Sequence, residues 1–338
     1  MKKLISLICV LAMVLALAAC GSSAPAAATE APAASTEAPA EDVSADKTFV
    51  VGICQLVQHP ALDAATQGFK DALTEALGDK VTFQEQNASG DSATCSLICN
   101  QFVSDEVDLI MANATASIQA AASATNTIPI LGTSITDYGV ALGVDNWTGV
   151  SGTNISGTSD LAPLDGQAAM IQELFPEAKT IGLLYCSGEP NSIFQADSME
   201  ALLTDMGYSV ERYTFADSND VSSVTANACS NSDVLYIPTD NTAASCTEAI
   251  NNVALSAGIP IVAGEEGIAS GCGVATLSIS YYDLGRATGE MAAEILNEGA
   301  DISTMEVRFA PAFTKEYNAD ICEALNITVP EDYVAIAK

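Results

Sequence analysis

From residue 48 onward, the chain alternates short apolar runs with amphipathic segments. Phe49–Cys54 is an apolar run ended by polar residues, which is typical of a buried parallel strand. Apolar residues then recur at helical spacing from Pro60 to Leu77, and Gly78 is a helix stop signal. Because strands and helices keep alternating in this way, the pattern predicts a doubly wound parallel sheet.

The alternation pauses between Tyr138 and Asp160, in a stretch of Gly, Thr, Ser and Asn, and then restarts. Ile259–Val262 repeats the Ile-Pro-Ile pattern of Ile128–Leu131, so the two halves look alike. The sequence therefore predicts an α/β protein with two Rossmann-like lobes joined by a hinge, each a parallel sheet flanked by helices. We expect residues 47–158 and 280–310 to form the N-terminal lobe and residues 159–279 and 311–338 the C-terminal lobe.

The first twenty residues have the layout of a bacterial lipoprotein signal. Lys2 and Lys3 precede the apolar stretch Leu4–Leu17, which is too short to span a bilayer comfortably, and small residues precede Cys20. We expect residues 1–19 to be removed as a signal peptide and a lipid to anchor Cys20 to the membrane. An uncleaved apolar tail or an ordinary secretory signal is the alternative.

Residues 20–46 are rich in Ala, Pro, Ser, Thr and Glu and contain no aromatic residue. Such a composition cannot bury enough apolar surface to offset the loss of conformational entropy, so it predicts a disordered linker. About 290 residues follow, which is more than a typical single domain and enough for two lobes. We therefore expect an extracytoplasmic protein, lipid-anchored to the outer face of the cell membrane.

The formal net charge of −32 limits the partners of the chain. A protein this acidic does not bind nucleic acid by neutralising phosphates, and it does not lie on anionic lipid. The charge indicates a solvated surface instead, and we expect a monomer.

Ten cysteines and a single histidine, His59, raise the question of a metal site. Cys95 and Cys99 are four residues apart on a predicted helix and so share a face. Without a second such pair, a buried core position or a vicinal bridge is favoured over a metal site. No metal or cofactor is expected.

Polar side chains follow the predicted strands, where open α/β sheets bind their ligands. Hydroxyls and amides at helix N-termini favour a carboxylate, whereas acidic side chains suit an ammonium, so the set together suits a zwitterion such as an amino acid. The acidic side chains are Asp137, Asp240, Glu265 and Glu266. Helix capping is the alternative for each residue alone. The other predicted ligand-binding residues are Gln55, His59, Thr115, Ser117, Ser134, Thr136, Glu189, Asn191, Ser192 and Asn241.

Motifs for catalysis are absent from the sequence. It has no G-x-S-x-G elbow, no G-x-G-x-x-G loop and no Walker lysine. Nothing in the sequence indicates that His59 and Ser134 pair as a general base and a nucleophile. We therefore predict no catalytic residue and no enzyme; a secreted hydrolase remains the alternative.

Two specific motifs lie at these strand ends: Gln-Leu-Val-x-His-Pro-Ala-Leu-Asp at residues 55–63 and Pro-Thr-Asp-Asn at residues 238–241. Through them the chain resembles the periplasmic-binding-protein-like substrate-binding lipoproteins of ABC transporters, in the family of tryptophan or tyrosine uptake. The further stretches that carry the resemblance are Gln86–Asp91, Thr153–Asp160, Asn191–Ser192 with Gln195, and Ala275–Gly285.

The resemblance implies a type I periplasmic-binding-protein clamshell that captures a small ligand, an aromatic amino acid, and delivers it to a permease and its ATPase. It adds Asp160 and Tyr281 to the expected ligand-binding residues and implies no catalysis. A ligand-sensing lipoprotein of the same fold, or binding of another small metabolite, stays open.

Two departures from the family concern the cleft. Members usually carry Thr-Asp-Pro where this chain has Thr136-Asp137-Tyr138, and Val144–Ser151 is similar to an insertion. We therefore expect Tyr138 and Trp147 to line an altered cleft.

Overall fold

A computed structural model describes residues 47–310 and 312–337, in which strands and helices alternate. The strands are β1 (Phe49–Gln55), β2 (Val81–Asn87), β3 (Leu109–Asn113), β4 (Ile130–Ile135), β5 (Ile155–Ser159), β6 (Thr180–Cys186), β7 (Ser209–Phe215), β8 (Val234–Ile237), β9 (Ile261–Ala263), β10 (Ala275–Ser278), β11 (Arg308–Phe309), β12 (Thr314–Tyr317) and β13 (Val334–Ala335). The predicted signal peptide, Cys20 and linker lie outside the described residues.

Twelve α-helices connect the strands within these ranges. They are α1 (Pro60–Leu77), α2 (Ser92–Ser104), α3 (Thr115–Ala124), α4 (Tyr138–Leu142), α5 (Leu164–Leu174), α6 (Pro190–Asp205), α7 (Val221–Asn231), α8 (Asn241–Ser245), α9 (Thr247–Ala257), α10 (Glu266–Cys272), α11 (Tyr281–Glu298) and α12 (Ala319–Ala324). Two short 3₁₀ helices cover Gly78–Lys80 and Ile302–Thr304.

The first sheet has the strand order β11-β5-β4-β3-β1-β2, and every neighbouring pair in it is parallel. Successive residues of β1 point to opposite faces. Cys54 packs with residues of α2 and α3, whereas Ile53 packs with residues of α1 and α11. Helices therefore cover both faces, which explains why β1 reads as an unbroken apolar run.

The second sheet has the order β13-β12-β10-β9-β8-β6-β7 and is parallel except for the antiparallel pair β10–β12. Leu183 packs with residues of α5 and α6, and its neighbour Leu184 packs with residues of α7, α9 and α10. The second lobe thus repeats the two-faced packing of the first, and the predicted two-lobed α/β fold is confirmed.

Glycines let helices α1 and α11 pack with their backbones almost in contact. A Cβ placed on Gly68 would lie 2.1 Å from the carbonyl oxygen of Tyr282, and one on Gly285 would lie 2.0 Å from that of Ala65. No side chain fits into such a gap. The helix pair therefore fixes α11, whose first residue, Tyr281, lies beside the cleft.

Three chain segments connect the two sheets: β5 to α5, β10 to α11, and β11 to β12. The carboxyl ends of the strands of both sheets face the space between the lobes. Thr136 follows β4 and Thr239 follows β8, and their hydroxyl oxygens lie 3.3 Å apart across this space. The cleft lies at the strand ends, as predicted.

The stretch between Tyr138 and Asp160, which the sequence predicts as irregular, contains α4 and β5. The sequence of β5 is Ile-Ser-Gly-Thr-Ser, and all five residues are buried. Helix α11 crosses it so closely that the hydroxyl oxygens of Thr158 and Thr288 lie 2.8 Å apart. Because this approach requires small residues, the strand carries no hydrophobic signal.

Other predictions of local structure were wrong in detail. The single helix expected over Thr242–Ala257 is two helices, α8 and α9, which meet at Cys246. No element was predicted for the segment of helix α10, which contains Gly267 and Gly271, two residues that weaken a helical pattern. Strands β12 and β13 were not predicted.

Tyr138 and Trp147 do not line the cleft, which corrects the prediction for them. The Tyr138 hydroxyl donates to the carbonyl oxygens of Gly132 (3.0 Å) and Thr158 (3.1 Å), so the side chain is buried within the first lobe. Its ring stacks on Trp147 with the ring centroids 5.8 Å apart. Tyr138 belongs to the core of that lobe, and the partly buried Trp147 packs against this core.

Candidate functional site

A small cavity lies between the lobes at the carboxyl ends of the strands. Its volume is about 10 Å³, which is room for about one water molecule. Most of the lining residues were predicted from the sequence: His59, Ser134, Thr136, Asp160, Asn191, Asp240, Asn241, Glu265 and Tyr281. Leu62, Thr239 and Ala244 also line it. We call this space the central cavity.

Four side chains of the central cavity keep a buried polar atom without a hydrogen-bond partner. The atoms are Nδ1 of His59, Oγ of Ser134, Oδ1 of Asp160 and Oδ1 of Asn191. Buried polar groups in proteins are almost always hydrogen-bonded, so four such atoms around one cavity are unusual. His59 and Ser134 come from the first lobe and Asn191 from the second. The lobes thus present unused polar atoms to one shared space.

Asp160 follows β5 and is held by one neighbour. Its Oδ2 accepts a hydrogen bond of 2.9 Å from the Tyr281 hydroxyl. Burial raises the pKa of Asp160 to about 6, although the hydrogen bond from Tyr281 opposes this rise. No lysine or arginine is among the residues that line the cavity. Asp160 therefore carries the carboxylate oxygen that is free to bind a cation.

Asp240 and Glu265 also face the central cavity, but their oxygens are already used. Asp240 caps α8 by accepting from the backbone N–H of Ala243 (2.8 Å), and it also accepts from that of Cys186 (2.6 Å). Glu265 caps α10 by accepting from two backbone N–H groups of its first turn. Burial raises the pKa of Glu265 to about 7, and burial together with nearby Glu189 raises the pKa of Asp240 well above its usual range.

Hydrogen bonds join the two lobes directly across the central cavity. Nε2 of His59 lies 3.3 Å from Oδ1 of Asn241. Nε2 of Gln195 donates to Oγ1 of Thr136 at 3.4 Å. Burial lowers the pKa of His59, so its ring is neutral at pH 7. The lobes are therefore in contact, and an amino acid cannot enter the cavity in this conformation.

Glu189 orients Asn241 instead of lining the central cavity. Its carboxylate accepts from the backbone N–H (3.0 Å) and the side-chain Nδ2 (2.8 Å) of Asn241. It also accepts from the backbone N–H (2.9 Å) and the hydroxyl (2.8 Å) of Thr242. Because Nδ2 of Asn241 points to Glu189, its Oδ1 points to His59. Nε2 of His59 is then the donor, and the unpartnered Nδ1 is an acceptor.

The other predicted residues lie outside the lining of the central cavity. Gln55 accepts from the Thr66 hydroxyl at 2.6 Å and donates to Asp63 at 2.6 Å. Ser117 lies 3.6 Å from the thiols of both Cys54 and Cys95. The remaining four are Thr115, which begins α3, Asp137, which caps α4, Ser192, which is buried beside Asn191, and Glu266, which begins α10.

Two residues that were not predicted as ligand-binding residues support the site. Thr239, inside the Pro-Thr-Asp-Asn motif, lines the cavity, so the motif itself was a usable signal. Gln195 is buried in α6, donates to the hydroxyl of Thr239 and accepts from its backbone N–H at 3.2 Å. Its position one helical turn after Asn191 is a signal that it shares the same face.

Backbone strain occurs at the ends of neighbouring strands β3 and β4. Ala114 has φ of 84° and Ser134 has φ of 56°, in the left-handed region that non-glycine residues rarely adopt. Such conformations are kept where the surrounding structure requires them, often at binding sites. Here the unusual backbone of Ser134 accompanies an unpartnered hydroxyl in the central cavity.

The described residues contain neither a metal-binding cluster nor a membrane-spanning helix. No group of three or more His, Cys, Asp or Glu side chains there is placed to hold a metal ion. Among the same residues, no helix combines the length and apolar character needed to cross a membrane.

Comparisons with known proteins match nearly all of the described chain. The family model described as ABC transporter substrate binding protein matches residues 50–338. A "Tyrosine-binding protein" of Clostridioides difficile is 38% identical over 280 residues, which are 82% of this chain and 81% of that protein.

Two solved structures bear on the conformation. An ABC domain from Streptococcus pneumoniae in complex with L-Trp is 31% identical, covers 86% of this chain and all of its own, and superposes with a TM-score of 0.82. The ligand-free, open structure of a substrate-binding protein with adhesive properties from Clostridium difficile is 38% identical over the same share of both chains, but its TM-score is 0.65. The lobes are thus arranged more like those of the L-Trp complex.

Proposed function

Because the chain belongs to the family of ABC transporter substrate-binding proteins, we propose that it captures a free aromatic amino acid between its lobes and delivers it to a permease. The observation that carries the proposal is the set of acceptors in the central cavity: Nδ1 of His59, Oδ1 of Asp160 and Oδ1 of Asn191. An ammonium group has three N–H donors and no acceptor, so three unpartnered acceptors on residues that line one cavity match it.

The charges of the cavity support the same ligand class. Asp160 supplies a buried negative charge, and no lysine or arginine of the lining neutralises it. A ligand ammonium would provide the missing counter-charge, and charge-assisted hydrogen bonds are the stronger kind. The Ser134 hydroxyl is the free donor for the ligand carboxylate. The aromatic side chain is proposed from the relatives that are named for tyrosine or contain L-Trp.

Capture would require the lobes to open. The central cavity of about 10 Å³ is too small for any amino acid, and His59 and Asn241 join the lobes directly. We expect the segments that connect the sheets to act as hinges: the ligand binds the open form, and closure then brings both lobes onto it. The permease would recognise the closed form because only that form reports a bound ligand.

Binding without catalysis is the activity that these contacts support. The proton-bearing Nε2 of His59 points to Asn241 and not to Ser134, so this pair does not form the hydrogen bond of a nucleophile and its base. We therefore propose that the ligand is released chemically unchanged.

The lipid anchor at Cys20 completes the proposal: a monomeric, extracytoplasmic lipoprotein held next to its permease and ATPase. Metabolic labelling with an alkyne fatty acid tests the anchor. The wild-type chain should be labelled and a Cys20→Ala variant should not. Equal labelling of the two chains would contradict the anchor.

Calorimetric titration of residues 47–338 with the twenty amino acids tests the binding function. Tyrosine, tryptophan or phenylalanine should bind with a Kd in the micromolar range or below, and mass spectrometry should recover the ligand unchanged. Asp160→Asn should weaken binding strongly, whereas Asp165→Asn, at an exposed carboxylate of α5, should not. Absence of heat with every amino acid would reject the proposed ligand class.

A further inference from the structure

A second and larger cavity lies between the lobes at the edge opposite the connecting segments. Its volume is about 380 Å³, within the usual range of small-molecule pockets. It is lined by residues after β1, β2 and β3 of one lobe and after β6, β7 and β8 of the other. Strands β2 and β7 are edge strands, so this space is the mouth of the cleft. We call it the mouth cavity.

The mouth cavity adjoins the central cavity, because Asn241 lines both. The unpartnered acceptors lie in the central cavity, which has no room for a side chain. The mouth cavity has that room, and its lining includes apolar groups from Leu56, Val57 and Ala116. An amino acid whose ammonium is on Asp160 would therefore extend its side chain past Asn241 into the mouth cavity.

The lining of the mouth cavity is negatively charged. Asp91, Glu189 and Asp217 contribute carboxylates, and no lysine or arginine lines the cavity. Asp91 and Glu189 use both oxygens for hydrogen bonds within the protein. Asp217 is exposed and accepts through Oδ1 from Asn219, while its Oδ2 has no hydrogen bond within the described residues. Asp217 is the carboxylate available to a ligand.

We propose that the mouth cavity receives the ligand side chain and selects it by charge, favouring a hydrogen-bond donor or a cation at its tip and excluding an anion. This inference rests on the proposed function, because it assumes an amino acid with its ammonium in the central cavity. Its physical basis is the repulsion between like charges in a partly enclosed cleft without a neutralising cation.

The test uses phenylalanine derivatives that differ only at the para position. Calorimetric Kd values are measured at pH 8 for tyrosine, phenylalanine, 4-aminomethylphenylalanine and 4-carboxyphenylalanine. We expect 4-carboxyphenylalanine to bind at least about tenfold more weakly than tyrosine. Tyrosine and the aminomethyl derivative should bind at least as tightly as phenylalanine. Equal Kd values for the carboxy derivative and tyrosine would overturn the inference.

An Asp217→Lys variant then assigns the selectivity to this cavity. It should reduce the ratio of the Kd of 4-carboxyphenylalanine to the Kd of tyrosine by about threefold or more. Asp205→Lys is the matched control, since it makes the same charge change at the exposed C-terminal end of α6. That helix of 16 residues begins at the cleft and is about 24 Å long. Asp205→Lys should leave the ratio unchanged.

Asp217→Asn covers the case in which the lysine variant does not fold, because asparagine retains the Oδ1 acceptor for Asn219. It should shift the ratio in the same direction by a smaller factor. A ratio unaffected by either folded variant would overturn the inference. If the series binds but the Kd values do not depend on the charge at the para position, only this inference fails. If no member of the series binds, the proposed function fails with it.

Discussion

Replacing Asp160 by asparagine tests whether this buried carboxylate serves binding and not stability. In the folded protein, burial raises its pKa from 3.8 to about 6. The folded state therefore disfavours the ionised form relative to the unfolded chain, where the side chain is solvated. At about 1.4 kcal/mol per unit of pKa shift, this shift lowers the free energy of unfolding by about 3 kcal/mol at any pH well above 6.

The contribution of Asp160 to the free energy of unfolding depends on pH. Because the folded pKa is raised, the unfavourable contribution is small below pH 4, grows as the pH rises to about 6 and is constant above that. Asparagine has the same shape, keeps an oxygen that can accept from Tyr281 and carries no charge. Asp160→Asn should therefore raise the free energy of unfolding by about 2–3 kcal/mol at pH 8. The two chains should differ by well under about 1 kcal/mol at pH 4.

The same substitution should weaken binding of the proposed ligand, an aromatic amino acid, by about tenfold to 100-fold, since a charged hydrogen bond to the ammonium is lost. Urea denaturation followed by circular dichroism at pH 4 and pH 8 measures stability, and calorimetry at pH 8 measures binding. Asp165→Asn, at an exposed site, should change neither. The reasoning would be refuted if Asp160→Asn were less stable than the wild-type chain at pH 8. It would also be refuted if the substitution changed the free energy of unfolding equally at pH 4 and pH 8.

Three further predictions concern other properties of the protein. Affinity for the aromatic amino acid should fall about tenfold per pH unit below pH 6, because Asp160 must lose its proton before it binds the ammonium; calorimetry from pH 5 to pH 8 measures this, and Asp160→Asn should flatten the profile. In residues 47–338, Ellman's reagent should react at most with Cys246, because the other seven cysteines described are buried, and urea should release all eight thiols. Gly285→Ala should destabilise the protein by about 2–3 kcal/mol in urea denaturation, because its Cβ would meet the backbone of α1. Gly188→Ala is the control, since its nearest contact would be 3.7 Å away, and an equal loss in both would contradict the packing argument.

Local pattern was enough to predict the long elements and the place of the cleft. Strand β1 and helix α1 differ in the period of their apolar residues, and both were predicted close to their observed bounds. Alternation of such elements implies a parallel sheet, and parallel strands present their carboxyl ends at one edge. The predicted residues His59 and Asn241 therefore line one cavity, although 182 positions separate them in the chain.

Elements built from small residues could not be predicted in this way. Strand β5 is buried because α11 lies against it, and its Ser, Gly and Thr residues are suited to that contact and not to a hydrophobic core. Tyr138 follows a strand, as a ligand contact would, yet its hydroxyl bonds to two carbonyl groups inside the lobe. Both outcomes depend on elements distant in sequence.

The sequence by itself determined the two-lobed fold, the polar character of the cleft and the identity of most side chains that line it. Only the tertiary structure decided what each carboxylate does. Asp240 and Glu265 lie next to helix N-termini, whose free N–H groups use their oxygens. Asp160 is bonded to Tyr281, 121 residues later, and keeps one oxygen free. Local pattern fixes where a side chain stands, but the unused hydrogen-bonding capacity of that side chain depends on the groups that other elements bring to it.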